Sequence, residues 1–259
     1  MGRGRARGAT TALAAAGATA ALATACVHPL PPAAPGVERI VFVGDSLVNR
    51  SSGDHGLIDR VREDLESRRP GTAFEIVNAG VNGDRIADIR ARLAADVLAL
   101  APAAVLLYWD SDAADAEEGE EEAASRARLR AEYERHLDAV LGALRASVRH
   151  VVVAGPTLDG EGPRGSNPKD HVLDAYAAIN HRLARRHHAA WVDTRRAAFE
   201  WLGRHRPAGS RGLLLTEDGE HLNATGARLV ADEIAAALDR ALRRRDRPAA
   251  GDGTEAEPH

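Results

Sequence analysis

Short apolar runs alternate with longer amphipathic stretches through the central part of the chain. The apolar runs predict five β-strands, at residues 39–43, 73–77, 103–108, 150–154 and 190–192. The amphipathic stretches predict helices at residues 55–68, 85–98, 123–146, 169–187 and 223–244. Continuous hydrophobicity is typical of strands that are covered on both faces. The pattern therefore predicts an α/β fold with three layers, in which helices cover both faces of a parallel sheet.

Composition divides the chain into a central domain and flanking segments. Residues 1–25 join a basic start to an apolar run of small residues, which is the pattern of a secretory signal peptide. Residues 26–37 are Pro-rich and predict a linker. Residues 246–259 have no apolar face and predict a disordered tail. One domain over residues 38–245 remains, which is long enough to bury a core of its own.

Cys26 is the only cysteine, and it directly follows the predicted cleavage site. The signal predicts a secreted or periplasmic protein, and a lipid anchor at Cys26 is the alternative that the position suggests. A single cysteine excludes an internal disulfide. The net charge of −4 gives no basic field for nucleic acid. The apolar run is too rich in Ala and Thr to predict a membrane span that is kept after processing.

Two segments carry the residues of a nucleophilic mechanism. Ser46 follows the first predicted strand, and a serine hydroxyl becomes a good nucleophile when a base takes its proton. Asp218 and His221 lie three residues apart before the last helix, where His221 is placed to act as that base and Asp218 to fix its tautomer. The simpler alternatives are a helix cap at Asp45 or Ser46 and a surface loop around His221.

Two further segments follow the second and third strands. Gly83 lies in a Gly-bearing turn, residues 78–84, whose backbone N–H groups are suited to stabilise an oxyanion. A plain strand-to-helix turn needs the same residue types. The string Trp109-Asp110-Ser111-Asp112 places polar side chains after the third strand, although a surface loop with capping acids explains it equally well. All four segments fall at the edge where parallel sheets bind ligands.

Taken in this order, the segments resemble those of the SGNH hydrolases, also called GDSL esterases and lipases. Gly44-Asp45-Ser46-Leu47 is the tetrad that names the family, Gly83 matches its second block, and Asp218 and His221 match its fifth block. The resemblance implies a flavodoxin-like five-stranded parallel sheet. It also implies a catalytic triad of Ser46, Asp218 and His221, with an oxyanion hole formed by Ser46, Gly83 and Ser111. The third block departs from the family pattern Gly-x-Asn-Asp, because Ser111 stands at the place of the Asn.

The resemblance further implies hydrolysis of a carboxylic ester through an acyl-enzyme on Ser46, without a metal or organic cofactor. The implied substrate is an acetylated carbohydrate, a lysophospholipid or a small acyl ester. Asp45, Asp110 and Asp112 are candidate substrate contacts, and we expect Asp110 to face away from the oxyanion or to serve a cation or a sugar hydroxyl. A non-catalytic binding protein for carbohydrate or lipid and an acyltransferase are the alternatives, and the sequence leaves the oligomeric state open.

Overall fold

A five-stranded parallel sheet forms the centre of the molecule, which a computed structural model describes over residues 33–53, 56–110, 112 and 123–243. The strands are β1 Val37–Gly44, β2 Ala73–Gly80, β3 Ala104–Tyr108, β4 His150–Ala154 and β5 Ala190–Val192. Their order in the sheet is β2-β1-β3-β4-β5, and each neighbouring pair is parallel. The predicted fold class is confirmed. Cys26, the predicted signal peptide and the predicted tail lie outside the described residues.

Helices connect successive strands and cover the sheet. They are α1 Ser46–Asn49, α2 Leu57–Arg68, α3 Ile86–Asp96, α4 Ala123–Ser147, α5 Asp170–Arg186, α6 Thr194–His205 and α7 Ala224–Arg243, with a 3₁₀ turn at Leu98–Leu100. The sequence prediction missed α1 and α6. The apolar face of α6 consists mainly of Ala197, Ala198 and Leu202, which is a weak periodic signal. No helix in the described part of the chain is long and apolar enough to cross a membrane.

Successive strand residues point to opposite faces of the sheet, and each face has its own apolar core. One core joins strand residues to α3, α4 and α5 and includes Val41, Val43, Val105, Leu107 and Val153. The other joins the alternate strand residues to α2 and α7 and includes Ile40, Phe42, Ala104, Leu106 and Val152. Burial on both faces explains why these strands are continuously apolar.

The carboxyl ends of the central strands lie level with one another. Gly44 pairs with Gly80 on one side and with Tyr108 on the other, and Tyr108 pairs with Ala154. A Cβ atom at Gly44 would lie 1.8 Å from the carbonyl oxygen of Tyr108, so glycine alone fits there. The segments that follow β1, β2, β3 and β4 therefore begin at one edge of the sheet.

Asp112 fastens the segment after β3 to the start of α3. One carboxylate oxygen, Oδ2, accepts hydrogen bonds from the backbone N–H of Ile86 at 2.8 Å and from Trp109 Nε1 at 3.1 Å. Ile86 is the first residue of α3, and its N–H has no partner within the helix. Burial raises the pKa of Asp112 to about 6, although both hydrogen bonds and the charge of Arg85 favour the carboxylate.

Replacing Asp112 by Asn should stabilise the protein at pH 8 but not at pH 4. The pKa of Asp112 in the folded protein lies above the unfolded value of about 3.9. The stability that its neutral carboxyl contributes is therefore fully present below about pH 4 and is lost as the pH rises through about 6. Asn keeps an oxygen that can accept both bonds and never ionises. We expect D112N to gain about 1–3 kcal/mol at pH 8 in urea unfolding.

Asp96, which is half-buried at the other end of α3 and pairs with Arg92, provides the control. D96N should differ from the wild type by a similar, small amount at both pH values. A D112N protein that is less stable than the wild type at pH 8 would show that the ionised carboxylate stabilises the fold.

Candidate active site

Ser46 lies at the start of α1, directly beyond the end of β1. Asp45 is fully buried and fixes this turn, because its Oδ1 accepts from the N–H of Leu47 at 3.0 Å and its Oδ2 accepts from the N–H of Asp110 at 2.9 Å. Both carboxylate oxygens of Asp45 are thus bound to backbone, and its role as a substrate contact stays a prediction. The alternative of a helix cap at Asp45 is correct, and it leaves Ser46 as the residue that the turn presents.

Asp218 and His221 lie in a short hairpin between α6 and α7. Thr216 and Leu222 form an antiparallel bridge, and the N–H of Glu217 donates to the carbonyl of His221 at 2.8 Å. The Asp218 Oδ1 atom accepts from the N–H groups of Glu220 at 3.0 Å and His221 at 2.8 Å. Hydrogen bonds within the hairpin turn therefore fix the Asp218 carboxylate beside the His221 imidazole.

The structure brings the three residues of the predicted triad together. His221 Nδ1 lies 2.7 Å from Asp218 Oδ2, and His221 Nε2 lies 3.1 Å from Ser46 Oγ. The carboxylate beside Nδ1 favours a proton on that nitrogen, which leaves Nε2 to accept from the serine hydroxyl. Hydrogen bonds from the backbone N–H of His221 and of Glu220, with one from the imidazole, hold the pKa of Asp218 well below its usual range.

The end of β2, where the turn of residues 78–84 begins, packs directly against the helix that carries Ser46. Asn78 Nδ2 donates to the carbonyls of Val48 at 3.0 Å and Asn49 at 3.2 Å. A Cβ atom at Gly80 would lie 2.3 Å from the backbone nitrogen of Asn49, so the close approach requires glycine. The sequence prediction did not give Asn78 this role; the available signal was a polar side chain near the end of a predicted strand.

Gly83 lies further along this turn with a φ of +76°, in the left-handed region that favours glycine. Apart from Gly83 and its two chain neighbours, no described residue has an atom within 4 Å of the position of a Cβ there. The N–H of Ser46, at the first position of α1, has no partner within the helix. The oxyanion roles of both N–H groups stay predictions, and Ser111 lies outside the described residues.

Asp110 lies just after β3, and the expectation that it faces away from the oxyanion stays a prediction. Its carboxyl is buried, and burial together with the nearby carboxylates of Asp45, Glu220 and Asp159 raises its pKa well above the usual range. Its Oδ1 atom has no hydrogen-bond partner in the described part of the molecule. The environment favours the neutral acid, so Asp110 does not place the negative charge near the oxyanion that its sequence position suggested.

Asp112 is half-buried, and its Oδ2 is occupied by the Ile86 and Trp109 bonds described above. These bonds join the segment after β3 to α3, and the role of Asp112 as a substrate contact stays a prediction. The described residues contain no group of three or more His, Cys, Asp or Glu side chains arranged to hold a metal ion.

A cavity of about 120 Å³ opens beside the serine and histidine. Its apolar wall is formed by Leu47, Leu57, Leu222 and Ala227, and its polar lining includes Ser46, Arg50, Ser51, Glu217 and His221. An apolar cavity of about 150 Å³ is sufficient for a benzene ring. The space next to Ser46 Oγ is therefore suited to a group of only a few carbon atoms.

Solved structures with the same fold include three hydrolases. The acetyl xylan esterase AlAXEase is 27% identical with a TM-score of 0.68, and the match covers 77% of this chain and 99% of that one. Axe2, an acetylxylan esterase from Geobacillus stearothermophilus, is 21% identical with a TM-score of 0.65 over 78% of this chain and 94% of that one. The α/β hydrolase LAE5, from the metagenome of Lake Arreo in Spain, is 22% identical with a TM-score of 0.64 over 79% and 96% of the two chains.

No protein with a curated description matches the sequence significantly. The model of the GDSL-like lipase/acylhydrolase family, in contrast, matches residues 42–229, which include both the serine turn and the histidine hairpin. The match extends over more than half of the chain, and the fold agrees with it. The chain therefore belongs to the GDSL-like lipase/acylhydrolase family and is a hydrolase of carboxylic esters.

Proposed function

We propose that this protein removes short acyl groups, acetyl above all, from acylated carbohydrates by way of an acyl-enzyme on Ser46. The hydrogen-bonded line from Asp218 through His221 to Ser46 Oγ is the observation that carries the proposal. Asp218 is the orienting carboxylate, His221 the general base and acid, and Ser46 the nucleophile.

In the first half of the reaction, His221 Nε2 takes the hydroxyl proton as Ser46 Oγ forms a bond to the carbonyl carbon of the ester. Negative charge develops on the carbonyl oxygen, where the N–H groups of Ser46 and Gly83 are the proposed donors, with Ser111 as a third. The bond to the leaving oxygen then breaks, and the imidazolium gives its proton to the departing alcohol.

In the second half, water replaces the alcohol. His221 takes a proton from the water as its oxygen attacks the acyl carbon, and the bond to Ser46 Oγ breaks. The imidazolium returns the proton to Ser46 Oγ, and the carboxylic acid leaves. Each turnover consumes one ester and one water and restores the starting protonation of the triad.

The size of the cavity next to Ser46 supports a short acyl group. About 120 Å³ is enough for an acetyl or propionyl group, whereas the fatty chain of a lysophospholipid would need several times that space. Leu47, Leu57 and Ala227 close the apolar side and are themselves buried. A short acyl ester is therefore favoured over a lysophospholipid among the substrates that the sequence left open.

The carbohydrate half of the proposal rests on the similarity to AlAXEase, an acetyl xylan esterase that aligns over almost its whole length. Export of the chain, which its first 25 residues predict, would place the enzyme where extracellular polysaccharides are found. We propose a secreted or periplasmic enzyme on these grounds.

Replacing Ser46 by Ala should lower kcat for p-nitrophenyl acetate by at least about 10³-fold, and D218N should lower it by about 10²–10⁴-fold. Asn at position 218 can still accept the two backbone N–H groups. Its amide, however, donates toward Nδ1 and so favours the imidazole tautomer that cannot take the serine proton.

A fluorophosphonate probe supplies the control for these variants, because it labels only an activated serine. The wild type should be labelled and S46A should not. Equal hydrolysis by wild type and S46A, or an unlabelled wild type, would contradict the proposal and favour the non-catalytic binding protein.

The Leu57→Ala change should extend the range of accepted acyl chains. Leu57 lines the cavity, so its loss enlarges the space by several carbon atoms, and the ratio of butyrate to acetate hydrolysis should rise about tenfold. The readout is kcat/KM on a series of p-nitrophenyl esters from C2 to C8.

Leu65→Ala is the matched control, because Leu65 is equally buried on the same helix but does not line the cavity. Both changes should cost about 2–5 kcal/mol of stability. L65A should keep the chain-length profile of the wild type; the same altered profile in both variants would mean that the cavity does not hold the acyl group.

A further inference from the structure

Glu161 is a buried carboxylate surrounded by hydrogen-bond donors. It lies in the loop between β4 and α5, and it is 5% exposed. Its Oε1 accepts from the N–H of Leu215 at 2.8 Å, and from the N–H and hydroxyl of Thr216 at 2.7 and 2.6 Å. Its Oε2 accepts from the N–H of Leu214 at 2.7 Å and from Arg206 Nη2 at 2.9 Å. Five donors from distant parts of the chain therefore meet on one side chain.

The segment that Glu161 holds, residues 214–216, is the first arm of the hairpin that carries Asp218 and His221. The N–H of Asn223, at the end of the second arm, donates to the carbonyl of Leu215 at 2.9 Å. The loop of Glu161 also reaches the turn of the hairpin, because the N–H of Gly160 donates to the carbonyl of Gly219 at 2.7 Å. The loop after β4 thus contacts the hairpin at both its base and its turn.

Helix α7 packs against the same arm from another side. A Cβ atom at Gly226 would lie 2.0 Å from the carbonyl oxygen of Leu215, so the helix and the arm are in direct backbone contact. The arm therefore has little room to move as long as its N–H groups remain bound to Glu161.

Ionisation of Glu161 suits this arrangement. Burial alone would raise its pKa, but the hydrogen bonds from Thr216 and from the N–H groups of Leu214 and Leu215 outweigh burial and hold the pKa below its usual value. Each neighbour within hydrogen-bonding distance is a donor, so the two carboxylate oxygens satisfy the set and a neutral amide would not.

We propose that Glu161 is a positioning residue that fixes the hairpin so that His221 Nε2 meets Ser46 Oγ. This inference rests on the proposed function of the triad. Glu161 lines a separate cavity of about 850 Å³ and not the one beside Ser46, so it acts on the triad through residues 214–216. Its removal should therefore slow the chemical step and leave substrate binding unchanged.

The test is Glu161→Gln in the full-length protein. In Gln, an NH₂ group replaces one of the two carboxylate oxygens. This NH₂ group then faces either the donors of Arg206 and Leu214 or those of Leu215 and Thr216, so the arm loses part of its hydrogen bonding. We expect kcat for p-nitrophenyl acetate to fall about 10–100-fold and KM to stay within about twofold, since small misplacements of a catalytic group are costly. Fluorophosphonate labelling of Ser46 should slow by a similar factor.

Hydrogen exchange locates the effect. In E161Q the amides of residues 214–222 should exchange faster than in the wild type, whereas those of the central strands should be unchanged. Asp239→Asn is the matched control, because Asp239 is also buried and accepts from an arginine, Arg243, but near the other end of α7. D239N should lose stability without losing kcat.

Thr216→Val is the milder variant if E161Q does not fold. It removes one of the five donors, and kcat should fall about threefold or more with faster exchange confined to the hairpin. Wild-type kcat in E161Q, an equal fall of kcat in D239N, or unchanged exchange of the hairpin in both Glu161→Gln and T216V would overturn the inference. A wild type that neither hydrolyses esters nor reacts with the probe would refute the proposed function, and the exchange data would still decide whether Glu161 holds the hairpin.

Discussion

The contact between His221 Nε2 and Ser46 Oγ, at 3.1 Å, joins two residues that are 175 positions apart in the chain. Nothing in either local segment fixes this distance. The serine is held by the turn after β1 and the histidine by a hairpin before α7, and each is secured by a buried carboxylate. Asp45 binds the N–H groups of Leu47 and Asp110. Glu161 binds the arm of the hairpin.

A protein with a single cysteine has no internal disulfide to fix its loops, and these carboxyl groups serve that purpose here. A buried charge is costly unless donors surround it, and backbone N–H groups at turns and helix ends supply such donors because they lack other partners. Asp45, Asp112 and Glu161 each bind N–H groups of a different segment. Asp110 shows the opposite case, since burial and the nearby carboxylates raise its pKa and favour the neutral form. The edge of the sheet is therefore held by three carboxyl groups that accept from backbone N–H groups, with Asp110 buried beside them.

The local patterns of the chain were sufficient for the fold class. Apolar runs predicted all five strands, and the signal is continuous in β3 and β4, which lie inside the sheet and are covered on both faces. Helix α6 was missed, since its small buried residues give little periodic contrast, although Asp193, which accepts from the N–H of Arg196, is a recognisable start signal. The candidate triad was also readable, because the tetrad around Ser46 and the Asp218–His221 pair are local motifs.

By itself, the sequence determined the parallel sheet, the edge at which the candidate site lies and the three residues of the proposed triad. Only the tertiary structure decided what the acidic residues around them do. It showed that Asp45 and Asp112 bind backbone N–H groups and that Asp110 is buried near other carboxyl groups. It also gave Glu161 five donors from distant segments. The physical reason is that a carboxyl group takes its charge state and its partners from burial and from residues far along the chain, which no local pattern records.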